Sequence, residues 1–296
     1  MLKLDIDTRP KIHYMDISTH RMVATGYMGD YASVFKGRGV IFESYREYAP
    51  TDDAGLIDWK ASMRGGKPLV REFIEERNLD VFFLMDVSHT MVSGSQKKLK
   101  HELAAEMVSS MAFAILDHGN SAGLGMFSDR VRGFLMPERG VAQFRRIVNE
   151  LVNPAHYDYP CDFEAAIRFC INRLPPATLI VVITDGINIG GGWERLLKVA
   201  NRKFEVLAIF VRDPRDDELP QGTGHIVVEN PADGRQYLID ADAVREDYAR
   251  AARELKENSM AMMRRSHIPD VPVVRTDQEF ALEVMKFFER RKSRWG

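Results

Sequence analysis

Two runs of apolar residues, each ending at an aspartate, constrain the fold more than any other feature of this chain. Residues 81–85 read Val-Phe-Phe-Leu-Met before Asp86, and residues 179–183 read Leu-Ile-Val-Val-Ile before Thr184 and Asp185. Continuous apolar runs of this length are typical of strands that are buried on both faces of a parallel sheet. The sequence therefore predicts an α/β fold with a central sheet.

Helical and strand-like segments alternate after residue 79. Lys97–Asp117 has a helical period, and strand-like runs follow at Ala122–Phe127, Val131–Leu135, Val206–Val211 and Val271–Val274. The link between the first two of these runs is short, so the run at 131–135 is expected to be an antiparallel edge strand. The pattern predicts a doubly wound, mostly parallel sheet with one antiparallel edge strand.

The first part of the chain has a different character. Its apolar density is modest, and its β-type runs, such as Val40–Phe42 and Pro68–Val70, are short. We expect an N-terminal strand-rich brace over residues 1–78 and the α/β domain over residues 79–296.

Composition excludes several classes of function. Lys plus Arg is 41 and Asp plus Glu is 43, so no bulk charge favours nucleic acid or an anionic membrane. No apolar run approaches the roughly 18 residues of a membrane span, and the acidic start lacks the apolar core of a secretory signal. The two cysteines, Cys161 and Cys170, are expected to be free thiols, which fits a reducing cytoplasm.

The two strand-end aspartates are expected to form one site. In open α/β sheets, ligands bind at the carboxyl ends of strands where the strand order reverses, and an order of 3-2-1-4-5 makes the strands ending at Asp86 and Asp185 neighbours. Asp86, Ser88 and Thr90 alternate, so an extended loop would turn their oxygens to one side. Because Mg²⁺ prefers oxygen ligands, we expect these four residues to hold a Mg²⁺-type ion.

Such an ion would be under-neutralised and would attract a carboxylate from a partner protein, which points to binding rather than catalysis. An alternative is a metal-dependent, phosphoesterase-like hydrolase using Asp86 and Asp185, since paired aspartates also hold Mg²⁺ in phosphoryl transfer. Against the hydrolase, the residue two positions after Asp86 is Ser88, which is not a carboxylate and supplies no general acid.

In the simplest alternative, the two aspartates accept hydrogen bonds from loop amides while Ser88 and Thr90 cap a turn.

The motifs resemble known families. Asp86-x-Ser88-x-Thr90, with Thr184 and Asp185 after the later strand, resembles the metal-ion-dependent adhesion site of von Willebrand factor A domains. The wider chain resembles the domain-of-unknown-function 58 family of bacteria and archaea. The matching stretches, in chain order, are Gly37-Arg38-Gly39, Arg46-Glu47-Tyr48, Asp52-Asp53, Ile57-Asp58-Trp59-Lys60-Ala61-Ser62, Val70-Arg71-Glu72-Phe73, the Asp86 loop, Asp213-Pro214 and Glu218-Leu219-Pro220.

This resemblance implies a von Willebrand factor A-like fold and no known enzyme activity. Members of the family are typically encoded beside MoxR-type AAA+ ATPases, so such an ATPase and its client proteins are the implied partners, in protein assembly or remodelling. Many members carry membrane helices before this region, and this chain resembles the shorter kind. We expect no nucleic-acid partner and no membrane span.

One departure from the adhesion-site pattern concerns its middle ligand, which is usually a Thr at the start of a helix. Cys161 occupies that position here, followed by Asp162. Because a thiol is a poor ligand for a hard ion, either Asp162 or water substitutes, or the site holds Mg²⁺, Mn²⁺ or Ca²⁺ weakly. A metal-free scaffold is a further alternative. The role of residues 46–73 stays open, since an Arg expected after Asp53 is missing.

Overall fold

The structure is a computed structural model, and the residues that it describes are 4–12, 40–49, 55, 57–75, 79–187, 189 and 192–293. The chain divides into two compact units, residues 23–78 and residues 1–22 together with 79–296. Two stretches of the family resemblance, Gly37-Arg38-Gly39 and Asp52-Asp53, lie outside the described residues.

The smaller unit contains an antiparallel strand pair and a short helix, and the strands lie where the β-type runs predict them. The helix begins after Asp58, whose carboxylate accepts hydrogen bonds from the backbone amides of Lys60 and Ala61. The family stretch at residues 57–62 therefore includes a helix cap. The elements are β1 (Val40–Glu47), α1 (Trp59–Gly65) and β2 (Leu69–Glu75).

The larger unit alternates strands and helices, as the sequence predicts. Its elements are β3 (Asp80–Asp86), α2 (Lys100–Asp117), β4 (Ser121–Phe127), β5 (Val131–Glu138), α3 (Val141–Leu151), α4 (Phe163–Arg173), β6 (Leu179–Thr184), α5 (Trp193–Lys203), β7 (Glu205–Arg212), β8 (His225–Glu229), β9 (Gln236–Asp240), α6 (Ala241–Arg265), β10 (Val273–Arg275) and α7 (Phe280–Ser293). None of the helices in the described ranges combines the length and apolar character that a membrane crossing requires.

Six strands form the central sheet, in the order β10-β7-β6-β3-β4-β5. All neighbouring pairs are parallel except β4 and β5, which are antiparallel. This confirms the predicted doubly wound, mostly parallel sheet with one antiparallel edge strand. Strands β8 and β9 form a separate antiparallel pair.

Hydrophobic side chains cover both faces of the sheet. Along β3, Phe83 and Met85 pack with α2 and α7, whereas Phe82 and Leu84 pack with α4 and α5 on the opposite face. Each of these four side chains is fully buried. Burial on both faces explains why the strand is apolar at every position between its two aspartates.

The first described residues, 4–12, belong to the larger unit and pack on its helix α2. The amides of Asp5 and Asp7 donate hydrogen bonds to the carboxylates of Glu102 and Glu106 on α2. Ile12 is buried in the core on the same face of the sheet. These contacts give polar side chains of α2 partners inside the protein, which the periodicity of the first residues did not indicate.

Candidate functional site

Strands β3 and β6 are parallel neighbours, so Asp86 and Thr184 end at the same edge of the sheet. The hydroxyl of Thr184 donates to Oδ2 of Asp86 at 2.7 Å, and the amide of Ser88 donates to Oδ1 at 2.9 Å. Burial and the nearby carboxylate of Asp185 raise the pKa of Asp86 to about 6, although the hydrogen bonds from Ser88 and Thr184 act in the opposite direction. The two aspartates predicted to meet therefore lie close together.

The loop after β3 places two hydroxyls beside Asp86. The Oγ of Ser88 and the Oγ1 of Thr90 are 3.5 Å apart. A second loop runs alongside: Ser88 pairs with Tyr159 as in a parallel sheet, and the amide of His89 donates to the carbonyl of Tyr159 at 2.9 Å. This pairing holds the hydroxyl-bearing loop in place and brings Cys161 to the same edge.

Cys161 lies beside the aspartates, and Asp162 has a different task. Burial, followed by the charges of Asp86 and Asp185, raises the pKa of the Cys161 thiol, so the thiol stays neutral. Asp162 is exposed, and its Oδ1 accepts a hydrogen bond from the amide of Ala165 at 2.8 Å, which caps α4. The carboxylate predicted as a substitute ligand thus serves as a helix cap in this conformation.

Sequence reasoning missed the cation nearest to the site. Lys100, the first residue of α2, is 1% exposed, and its Nζ lies 2.9 Å from Oδ2 of Asp185 and 3.0 Å from Oδ2 of Asp216. Burial acts to lower the pKa of Lys100, but the charges of Asp185 and Asp216 outweigh it and raise that pKa. Lys100 is therefore a permanent ammonium that offsets the charge of Asp185. Nothing local distinguishes it from the neighbouring lysines at 97 and 98.

The two aspartates are consequently in different electrostatic situations. Asp185 has an ion pair with Lys100 and accepts the amide of Ile187 at 2.9 Å. Asp86 is completely buried, and among the residues that the structure describes no Lys, Arg or His forms an ion pair with it. Its carboxylate accepts hydrogen bonds from neutral groups, the amide of Ser88 and the hydroxyl of Thr184. A buried carboxylate in this state would be stabilised by a cation.

Acidic, thiol and imidazole groups alone do not form a metal centre here. Within the described ranges, no three His, Cys, Asp or Glu side chains are grouped so that they can hold a metal ion. An ion beside Asp86 would therefore depend on the hydroxyls of Ser88 and Thr90. That donor set, one carboxylate with two hydroxyls, is compatible with a hard cation that retains several waters.

Asp213, in the Asp213-Pro214 stretch of the family resemblance, connects three segments of the chain. Asp213 follows β7 and accepts hydrogen bonds from the amide and hydroxyl of Ser95 at 2.9 and 2.7 Å. It also accepts the hydroxyl of Thr276 at 3.1 Å and the amide of Arg215 at 2.8 Å. One buried carboxylate thus ties the chain before α2 to the segments that follow β7 and β10.

The fold and the site define a doubly wound α/β protein with one antiparallel edge strand, and with acids and hydroxyls at the carboxyl edge of its central strands. Residues 44–258 match the family model described as "Protein of unknown function DUF58". The chain belongs to this family.

One relative matches nearly the whole chain. The uncharacterized protein Rv1480 of Mycobacterium tuberculosis is 26% identical over 300 residues, which cover 99% of this chain and 93% of the relative. The uncharacterized protein MAV169 of Mycobacterium avium is 34% identical over 116 residues, which cover 38% of this chain and 66% of the relative.

Two solved structures resemble the fold. BatB from Bacteroides thetaiotaomicron has 16% identity and a TM-score of 0.47, covering 73% of this chain and 98% of that chain. The SpRpn10 VWA domain has 12% identity and a TM-score of 0.42, covering 70% and 94%. Since both scores are below 0.5, the strand order and directions carry the assignment of the fold.

We expect Asp213→Asn to lower the free energy of unfolding by about 1–3 kcal/mol at neutral pH, because an amide cannot accept all four hydrogen bonds. Burial acts to raise the pKa of Asp213, but the hydrogen bonds from Ser95, Arg215 and Thr276 outweigh it, so the pKa lies below the usual 3.8. The stabilisation is complete above pH 3.8 and is lost as the pH falls through the lower, folded-state pKa. Urea unfolding at several pH values measures it.

Asp277→Asn is the matched control. Asp277 is a partly exposed acid paired with Arg275, so its loss should change the free energy of unfolding by less than about 0.5 kcal/mol. A difference between wild type and Asp213→Asn that persists undiminished in acid would contradict the assigned role of the carboxylate.

Proposed function

We propose that this protein is a non-enzymatic protein-binding module. In this proposal Asp86, Ser88 and Thr90 hold a Mg²⁺-type cation at the carboxyl edge of β3, with Asp185 beside it. When bound, the cation supplies an open coordination position that attracts a carboxylate of a partner protein. The residues of the chain position the ion and exclude water from its inner side.

The observation that carries the proposal is the state of Asp86. It is fully buried, it lies near the carboxylate of Asp185, and its donors are neutral. A buried carboxylate usually has a cationic partner, because desolvation without one is costly. Lys100 supplies the cationic partner of Asp185 and also forms an ion pair with Asp216. In this proposal a divalent cation from solution is the cationic partner of Asp86.

The neutral groups around Asp86 also support a binding role. Cys161 is a protonated thiol, and the loop contributes hydroxyls rather than further carboxylates. With so few negative ligands the ion would keep much of its charge, which favours capture of an external Glu or Asp. Asp162 and Cys161 are the weaker ligands of this proposal, since the first caps α4 and the second is neutral.

The partner that we propose is a MoxR-type AAA+ ATPase, together with its client proteins, in the cytoplasm. The support is membership of the DUF58 family, because the family resemblance implies such an ATPase as the partner. In this proposal the module binds carboxylates of its partners while the ATPase assembles or remodels proteins.

Isothermal titration with MgCl₂ and MnCl₂ tests the cation site. We expect wild type to bind with a dissociation constant no tighter than about 0.1 mM, since few carboxylates neutralise the ion. Asp86→Asn preserves size and removes the charge, so binding should weaken at least about tenfold. Asp80→Asn, which changes the acid at the opposite end of the same strand, should bind as wild type does. Equal binding by Asp86→Asn and wild type would refute the site.

Capture of a purified MoxR-type ATPase tests the partner. We expect immobilised wild type to retain the ATPase in Mg²⁺, and EDTA or Asp86→Asn to reduce the retained amount at least about tenfold, because the ion bridges the two proteins. Asp80→Asn should retain it fully. Retention of the ATPase that neither EDTA nor Asp86→Asn changes would exclude a metal-mediated contact.

A hydrolase that uses Asp86 and Asp185 is the second candidate. Lys100 favours it, because phosphoryl transfer commonly uses a cationic side chain beside the metal. However, Lys100 is 1% exposed and directs its ammonium to oxygens of Asp185 and Asp216, so a substrate phosphate would have to displace them. Hydrolysis of phosphate esters in Mg²⁺ or Mn²⁺ that Asp185→Asn abolishes would decide for this candidate.

A further inference from the structure

Lys100 joins two carboxylates that come from different loops. Its Nζ lies 2.9 Å from Oδ2 of Asp185, after β6, and 3.1 and 3.0 Å from the two oxygens of Asp216, after β7. Lys100 is 1% exposed and the side chain of Asp185 is fully buried. The ammonium is thus enclosed, and its three donors match three carboxylate oxygens.

The carboxylate of Asp185 also lies near that of Asp86, because β3 and β6 are parallel neighbours that end at the same edge of the sheet. The charge of Asp185 contributes to the raised pKa of Asp86, so the two carboxylates lie within electrostatic reach of each other. A cation held by Asp86 would therefore attract Asp185, the same group that binds Lys100. It would also be repelled by the ammonium, which is poorly screened in a buried site.

We propose that Lys100 is a built-in counter-cation that competes with the divalent ion for Asp185 and so sets the affinity of the site. The inference rests on the cation site of the proposed function and adds its regulation. Asp216 is the second element of this device: when an ion engages Asp185, Lys100 keeps Asp216 as its partner.

The position of Asp216 couples the site to the turn after β7. Asp216 belongs to a short helical turn, Pro214–Asp216, and its Oδ2 accepts the amide of Asp213 at 2.8 Å. Arg212 donates to the carbonyl of Asp185 at 3.1 Å and to the carbonyl of Asp216 at 2.9 Å. A partner that moves this turn would therefore weaken or strengthen the ion pair between Lys100 and Asp185. Conversely, an ion bound at the site would change the position of the turn.

A double-mutant cycle on Lys100 and Asp216 tests the competition, with MgCl₂ titration as the readout. Lys100→Met should bind Mg²⁺ at least about tenfold more tightly than wild type, because both the repulsion and the competing partner are gone. Asp216→Asn should bind at least about threefold more weakly, because Lys100 then has Asp185 as its remaining carboxylate partner. In the Lys100→Met background, Asp216→Asn should have an effect below about twofold, since no lysine remains to be redirected.

Controls separate competition from general electrostatics. Lys98→Met removes a cation two residues away that pairs with Glu106, and Asp247→Asn removes an exposed acid of α6 that pairs with Arg250. Each should change Mg²⁺ affinity by less than about twofold. Lys100→Arg keeps the charge and should stay within about threefold of wild type. If the effects of Lys100→Met and Asp216→Asn simply add, Lys100 contributes only a distant charge and the competition is refuted.

Thermal unfolding supplies a second readout. Lys100→Met should have a lower midpoint than wild type in EDTA, because the buried Asp185 and the partly buried Asp216 lose their partner. Mg²⁺ should raise that midpoint more than it raises the wild-type one. If Lys100→Met does not fold, Asp216→Asn and Lys100→Arg carry the test, and unchanged affinity in Asp216→Asn refutes the inference.

The outcomes distinguish this inference from the proposed function. If wild type binds Mg²⁺, Asp86→Asn does not, and Lys100→Met binds no more tightly than wild type, the competition is wrong and the cation site stands. If Lys100→Met binds Mg²⁺ and wild type does not, the competition is supported. If neither wild type nor Lys100→Met binds Mg²⁺ or Mn²⁺, the cation site itself is refuted.

Discussion

The parallel pairing of β3 with β6 is the constraint on which the candidate site depends. Both strands are apolar along their length and buried, so they pair at the centre of the sheet and bring Asp86 and Asp185 into one region of low polarity. Two carboxylates buried side by side are unfavourable unless each gains a cation or sufficient hydrogen bonds. Asp185 gains Lys100, and Asp86 gains neutral donors. The chemistry of the edge follows from this difference.

The pairing of the strands was predictable because burial on both faces is recorded in the local sequence as an uninterrupted apolar run. Lys100 was not predictable in the same way. Its contact with Asp185 joins residues 85 positions apart, and it depends on where α2 begins relative to the carboxyl end of β6. The motif Asp86-x-Ser88-x-Thr90 indicates which oxygens are available, but it carries no information about which charges are already satisfied.

Asp162 and the first residues of the chain illustrate two other limits of sequence reasoning. Asp162 precedes Phe-Glu-Ala-Ala, which is an ordinary signal for a helix N-cap. Because Asp162 also follows Cys161, which occupies the middle-ligand position of the adhesion-site pattern, the sequence predicts it as a metal ligand as well. The contacts of Asp5 and Asp7 with α2 had no comparable signal, because backbone amides that donate to distant carboxylates leave no pattern in the sequence.

The balance of charge at the carboxyl edge of the sheet bears on whether the site would bind a partner or catalyse a reaction. Lys100 offsets Asp185, the Cys161 thiol is neutral, and Asp86 is left with a full negative charge when it is ionised. In the function that we propose, a divalent ion placed there would exceed the negative charge available to it, and the excess would be neutralised from outside. A partner carboxylate does this without any change in covalent bonds, whereas a hydrolase would need Lys100 to leave two carboxylates that already enclose it. In this proposal the ammonium that limits the affinity for the ion also favours a reversible contact over catalysis.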